Sequence, residues 1–281
     1  MLKLRIITAL VLLAILLPAL FYPSYVPFAC VMVVLIGAAG WEWGRLNGCG
    51  PAASLALGAV LALLCVATWW AGWLDQSHRL LWIVSGAGWV IGGAMLLRTG
   101  VSGWPQVPRV LRLAGGMLVL WLAWLGALQA RMLGINFLLS ILVLVWVADV
   151  FAYFAGRAFG LRLTRERLAP AISPGKSWEG VWGGMAGVLV LALAWTWADR
   201  AAGADVASLY SRLWDRGWPV LIIGVIFLAA MSVVGDLAES LVKRSAGAKD
   251  SSQLLPGHGG VLDRVDALLP TFPLAMMLAF I

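Results

Sequence analysis

Charge is scarce in this chain of 281 residues: Asp, Glu, Lys and Arg together make up 12%, where a soluble domain carries roughly 25%. Histidine occurs twice and cysteine three times, with no Cys-x-x-Cys pair. The shortage of charge excludes an ordinary soluble enzyme, a disordered segment and a single-anchor ectodomain. The shortage of cysteine excludes a disulfide framework and a thiolate metal site; Cys30, Cys49 and Cys65 sit in or beside apolar runs and read as packing residues. Also missing is the alternation of polar and apolar residues that a membrane β-barrel needs. What fills the chain is hydrophobic residue, 62% of it, in continuous runs.

At about 20 apolar residues per crossing, nine runs can be read: roughly 4–21, 25–43, 52–73, 80–97, 111–131, 134–156, 179–198, 217–240 and 265–281. The expectation is an all-α polytopic membrane protein of about nine transmembrane helices with short loops. Residues 1–110 form an N-terminal group of about four helices. Residues 111–281 form a second region with two longer polar loops, 157–178 and 241–264. The first run, behind Lys3 and Arg5, is too long for a signal-peptide core and reads as an uncleaved helix. Pro18 is expected to kink or end it.

Orientation follows from the basic residues. With the N-terminus in the cytoplasm, fifteen of the twenty Lys and Arg fall on the inner side and five on the outer, which satisfies the positive-inside rule. That rule also accounts for the net charge of +7, so no nucleic-acid partner is inferred. The seventeen tryptophans cluster near helix ends and read as an interfacial belt. Gly180, Gly183, Gly184 and Gly187 share a small-residue face that suits close helix packing.

Acids inside spans are costly and point to function. Four stand out: Glu42, Asp149, Asp236 and Glu239. Glu42 lies near a span end and reads more simply as a side chain reaching the interface. Asp149 shares a helix face with Tyr153, four residues on, and with Gly156. Asp236, Ser240 and Lys243 fall at i, i+4 and i+7 and make one polar stripe, and Glu239 and Lys243 form a second pair. A loop follows with Lys249, Asp250 and Pro256-Gly257-His258-Gly259-Gly260, a tight turn with exposed backbone. Asp263, Arg264 and Asp266 then open the last span. Carboxylates with a hydroxyl are hard ligands suited to Mg²⁺, and Lys243, Arg244, Lys249 and Arg264 supply cations for phosphates. Acids and bases gathered at one membrane face point to a metal–phosphate site handling a lipid.

Residues 240–266 contain Ser240-x-Val242-Lys243-Arg244, then Lys249-Asp250-x-Ser252, then Leu255-Pro256-x-His258-Gly259-Gly260-Val261-x-Asp263-Arg264-Val265-Asp266. This pattern resembles the signature of phosphatidate cytidylyltransferases (CDP-diacylglycerol synthases), without a departure. Asp149-x-x-Ala-Tyr153-x-x-Gly156 and Ser173-Pro174-x-Lys176-Ser177-x-Glu179-Gly180 resemble the same family. The resemblance extends over the whole chain and is weakest in 1–110, where only hydrophobicity agrees.

The resemblance implies that CTP and phosphatidate give CDP-diacylglycerol and pyrophosphate. It also implies Mg²⁺, with K⁺ as an accompanying ion, and a homodimer; the compact chain fits a bacterial inner-membrane protein, and the basic residues put its site on the cytoplasmic face. Asp236, Ser240 and Asp263 are carried over as metal-site residues. Lys243 and His258 join them as catalytic candidates; Lys176, Arg244, Lys249, Arg264, Gly259 and Gly260 are candidates for holding phosphate. Asp149, Tyr153, Glu239, Asp250 and Asp266 would support them. His258 either gives a proton or hydrogen bond to pyrophosphate or only shapes its turn. Asp266 either binds metal or pairs with Arg264. The competing reading is a lipid or ion transporter, whose acids would lie nearer the bilayer midplane on repeated, broken helices.

Overall fold

The computed structural model describes residues 2–280. Ile281, at the end of the expected ninth span, and the side chain of Lys3 lie outside that description. The helices are α1 (Leu2–Phe21), α2 (Val26–Leu46), α3 (Pro51–Trp70), α4 (Arg79–Gly103), α5 (Arg109–Leu133), α6 (Ile135–Phe159), α7 (Trp178–Ala202), α8 (Leu209–Asp215), α9 (Trp218–Ser245), α10 (Leu262–Val265) and α11 (Leu268–Phe280).

Every expected apolar run is thus helical, but the count of nine spans is not established. Seven of these helices, α2 to α7 and α9, are long and apolar enough to cross a membrane. The apolar part of α1, Arg5–Phe21, is shorter. The last run is divided: α10 and α11 are separated at Asp266 and Ala267, and α11 has 13 residues. Helix α11 can be short because protein surrounds it. It packs on α4, α5, α6, α8 and α9, and Leu274, Ala275 and Met276 are fully buried. Pro18 does not end α1, which runs on to Phe21. Three residues remain beyond it, and Arg131 of α5 binds the freed carbonyls of Leu20 at 2.9 Å and Tyr22 at 2.6 Å.

A second departure lies in the loop expected at 157–178. Helix α6 extends to Phe159, and the loop carries a short antiparallel hairpin, β1 (Arg167–Ala169) and β2 (Ser173–Ser177), with Arg167 opposite Ser177. The all-α expectation left it out, because strands this short carry too few residues to show a period. Ser177 then caps α7 by accepting the Gly180 N–H at 3.2 Å. The tryptophans also divide. Trp70 and Trp197 are exposed near helix ends, whereas Trp82 and Trp124 are core residues with no exposed surface. Cys65 is buried and Cys30 exposed, so only the former is a packing residue.

The glycine face of α7 behaves as expected. It lies against α6 in the most extensive helix–helix contact among the described residues. A methyl group on Gly184 would stand 2.8 Å from the Ala148 carbonyl oxygen, and one on Gly180 would stand 3.0 Å from that of Ala152. This contact sets Asp149 and Tyr153 of α6 beside the β2 strand. Substituting Gly184 with Ala should force the backbones apart and destabilise the protein by about 1–3 kcal/mol. Thermal unfolding of the purified protein in detergent measures this, and an unchanged midpoint would show that the helices do not pack so closely.

Candidate active site

Successive helices alternate in direction and bring the C-terminal ends of α2, α6 and α9 to one end of the bundle. Loop 246–261, the start of α10 and strand β2 lie there too. The N-terminal part of α1 joins them, since Thr8 Oγ1 donates to the Pro256 carbonyl at 2.9 Å. Gly235 is what lets the α10–α11 elbow approach α9. A methyl group there would lie 2.5 Å from the Asp266 carbonyl oxygen and 2.7 Å from the Pro270 ring. The acids of α9 and those of α10 are therefore gathered at one face, not spread across the bilayer.

Two lysines hold the acids. Lys176 Nζ of β2 lies 2.6 Å from Asp236 Oδ2, and Asp236 Oδ1 accepts from Ser240 Oγ at 3.3 Å. Lys243 Nζ lies 2.6 Å from Glu239 Oε2 and 2.5 Å from Asp263 Oδ1. The remaining oxygen of Asp263 accepts from Gly260 N at 2.7 Å and from Ser251 N and Oγ, both at 2.8 Å. Burial works against its charge, yet Lys243 and these donors hold the Asp263 carboxyl below the ordinary carboxylate range. Among the described residues Asp266 accepts only from Ala267 N, at 2.8 Å, and it lies within electrostatic reach of Asp236 and Asp149.

Asp149, Tyr153 and Gly156 line one cavity of about 400 Å³ with Lys176 and Asp236, so the shared face expected for α6 does front the site. Tyr153 Oη accepts from Arg157 at 3.3 Å. Lys249 and Asp250 are exposed. The turn at Gly257 and Gly259 uses φ of +77° and +82°, closed by Leu255 N donating to Gly259 O at 2.8 Å. His258 shapes it with its main chain: its N–H donates to Leu255 O, and its carbonyl accepts from Arg264 Nε at 3.0 Å and Nη2 at 2.5 Å. The pairing of Arg264 with Asp266 is therefore not formed, because the guanidinium is spent on the turn. Arg244 likewise reaches the Ala248 carbonyl, at 3.4 Å.

Glu42 corrects the reading from sequence most clearly. It does not reach the interface; it has no exposed surface. Its Oε1 accepts from Ser252 Oγ at 2.6 Å and Val261 N at 2.9 Å, and its Oε2 accepts from Leu262 N at 2.8 Å. Ser251 Oγ lies between it and Asp263, 3.2 Å from one and 2.8 Å from the other, so its single proton serves the nearer. A carboxylate on α2 thus fastens both ends of the loop that carries Asp263. A second fastening was also missed: Glu179 Oε1 accepts from Leu163 N at 3.0 Å and Thr164 N at 2.7 Å, tying down the other loop.

The donors suit a hard divalent ion. Of Asp149, Asp236, Glu239, Asp263 and Asp266, the ion pairs among the described residues join Asp236 to Lys176 and Glu239 and Asp263 to Lys243, and Glu239 Oε1 is buried without a hydrogen-bond partner among those residues. No three acidic, His or Cys side chains among the described residues form a complete cage. That fits Mg²⁺, which is usually held by one or two carboxylates, with waters and substrate phosphates supplying the rest.

A family model described as the cytidylyltransferase family matches residues 3–281. The chain belongs to the cytidylyltransferase family. It is similar to a phosphatidate cytidylyltransferase of Pseudomonas aeruginosa, 41% identical over 276 residues that cover 97% of this chain and 95% of the relative. One from Haemophilus influenzae is 37% identical over 97% of this chain and 96% of the relative. Another, from Brucella abortus, is 37% identical over 95% and 89%. Membership covers the N-terminal helices too, where the sequence offered no motif and where Glu42 stands.

The Glu42 anchor has a measurable consequence. Each buried N–H left without an acceptor costs about 1–3 kcal/mol, so Glu42→Ala should release the loop. Hydrogen exchange of a peptide covering 251–262 should quicken at least tenfold, while α3 peptides stay as they were. Equal exchange in both proteins would show that the loop is held by other contacts.

Proposed function

We propose that this chain transfers CMP from CTP to phosphatidate, giving CDP-diacylglycerol and pyrophosphate, at the membrane face that carries loop 246–261. The observation that carries this reading is a pair of lysine–carboxylate contacts at the C-terminal end of α9, Lys176 with Asp236 and Lys243 with Asp263, in a chain that belongs to the cytidylyltransferase family. A phosphatidate oxygen forms a bond to the α-phosphorus of CTP. The bond from that phosphorus to the oxygen bridging to the β-phosphate breaks, and pyrophosphate departs with its electron pair. A phosphate monoester has a second pKa of about 6, so the nucleophile is already largely anionic and needs no strong base.

The obstacle is repulsion between two polyanions, and catalysis is then mostly positioning and charge neutralisation. Lys176 and Lys243 hold carboxylates until substrate phosphates compete for them. Asp236, Ser240 and Asp263 would hold Mg²⁺, which supplies charge neutralisation across the CTP phosphates when bound. K⁺ beside it and a homodimer are part of this reading on the family resemblance. Lys249, Arg244 and Arg264 supply further cations on and beside loop 246–261, and Arg244 and Arg264 must leave loop carbonyls before they can reach phosphate. In this reading His258, whose Nδ1 is buried without a partner among the described residues, would donate a hydrogen bond to departing pyrophosphate. Gly259 and Gly260 are packed against the carboxylates, since a methyl group would stand 2.6 Å from Asp263 Oδ2 on the first and closer still to Glu42 Oε1 on the second, so Gly260, whose N–H serves Asp263, would have to release it before holding phosphate.

The distribution of basic residues and the bacterial relatives support the reading that this face lies in the cytoplasm, beneath a bacterial inner membrane. It suits the substrates, since CTP cannot enter hydrocarbon and phosphatidate cannot leave it. Asp263→Asn should lower phosphatidate-dependent release of pyrophosphate from CTP by at least a hundredfold, while the protein still inserts and elutes as wild type. Near-normal turnover in that variant would remove Asp263 from the chemistry.

A further inference from the structure

Helices α4 and α5 are consecutive and antiparallel, yet they scarcely touch along their length; each packs instead on α11. Between them lies a groove of about 510 Å³ backed by α9, with almost entirely apolar walls. Its outer edge is kept open by Gly88 and Gly92 of α4 and Gly115 of α5. A methyl group at any of the three would meet nothing within 4 Å. Its inner end reaches Glu239 and Val242, beside the Lys243 that pairs with Asp263.

The groove is not uniformly apolar, and its polar atoms are unsatisfied. Ser85 Oγ, Trp89 Nε1, Trp104 Nε1, Arg112 Nε and Glu239 Oε1 all belong to lining residues, and all are buried without a hydrogen-bond partner among the described residues. Ser85, Trp104 and Glu239 are 7%, 9% and 5% exposed. Buried polar groups are ordinarily hydrogen-bonded, so a cluster of exceptions calls for an explanation. Arg112 meets no carboxylate among the described residues; its guanidinium lies 5.9 Å from the Trp104 ring centre and 3.5 Å from Asn47 Oδ1.

The order along the groove is that of a glycerolipid. A cation and an indole N–H stand near the site face, where α4 ends and α5 begins. Glycine-edged apolar walls follow toward the bilayer interior. We infer that this groove holds the diacylglycerol part of the phosphatidate substrate, with Arg112 and Trp104 meeting its phosphate and ester oxygens and its acyl chains lying against Gly88, Gly92 and Gly115. The inference rests on the cytidylyltransferase reading. It adds that the lipid enters from the side between α4 and α5, while the polar cavity between α6, α7 and α9 is left to the nucleotide.

The test fills the groove at a position with room to spare. Gly92→Leu should raise the KM for dioleoyl-phosphatidate at least fivefold relative to that for dihexanoyl-phosphatidate, whose chains are too short to reach the edge. Arg112→Gln should raise both. Val190→Leu, on the exposed face of α7, is the control for a bulkier lipid-facing side chain and should change neither ratio. Retention of dioleoyl-phosphatidate by the purified full chain, read by native mass spectrometry, decides the matter apart from turnover: the account expects at least a fivefold loss in Gly92→Leu. An unchanged KM ratio with unchanged retention overturns the groove. So does equal retention of dioleoyl-phosphatidylcholine by the wild type, which would mark an ordinary lipid-facing surface. If the wild type retains phosphatidate selectively but releases no pyrophosphate from CTP, the groove stands and the proposed reaction falls.

Discussion

Five carboxylates gathered at one end of a helix bundle repel one another, and two ammonium groups oppose them. Lys243 touches both Glu239 and Asp263, and Lys176 reaches across from a different loop to Asp236. Half-buried ion pairs of this kind add little net stability, because taking the charges out of water costs about as much as their attraction returns. Their value here is geometric. They hold acids from α9 and α10 within one site, in an arrangement left short of positive charge. A phosphate-bearing substrate with its divalent ion meets both needs, bringing cations to the acids and anions to the lysines.

That arrangement depends on a residue far from it in sequence. Glu42 of α2 holds Ser252, Val261 and Leu262, and Ser251 stands between Glu42 and Asp263. The N-terminal helices are therefore part of what positions the site. A buried carboxylate is tolerated where donors satisfy it, and Ser252, Val261 and Leu262 do so here. The Gly235 contact plays the matching part on the other side, letting the Asp266 elbow rest against α9.

Much of this was legible in the sequence, and the physical reasons for success and failure differ. Helices α2 to α7 and α9 are visible because a membrane demands long apolar runs. The α9 stripe is visible because helical spacing puts Asp236, Ser240 and Lys243 on one face. The α10–α11 division was not legible, since a helix enclosed by protein is not bound by bilayer thickness. The β1–β2 hairpin was too short to show a period. Glu42 was misread because an acid near a span end looks the same whether it reaches water or a loop 209 or more residues away. The hold of Arg264 on the His258 carbonyl was not legible, because a guanidinium bound to a backbone carbonyl leaves no trace in spacing. The α4–α5 groove was invisible because its glycines matter for what they do not touch.

The chemistry is tested most directly by following an oxygen atom. Phosphatidate carrying ¹⁸O in its phosphate should, with CTP, yield CDP-diacylglycerol that retains the label in its diphosphate, with pyrophosphate free of it. Label in the pyrophosphate, or no label transfer to a CMP-bearing lipid, would contradict attack by the phosphatidate oxygen on the α-phosphorus and with it the account of the site.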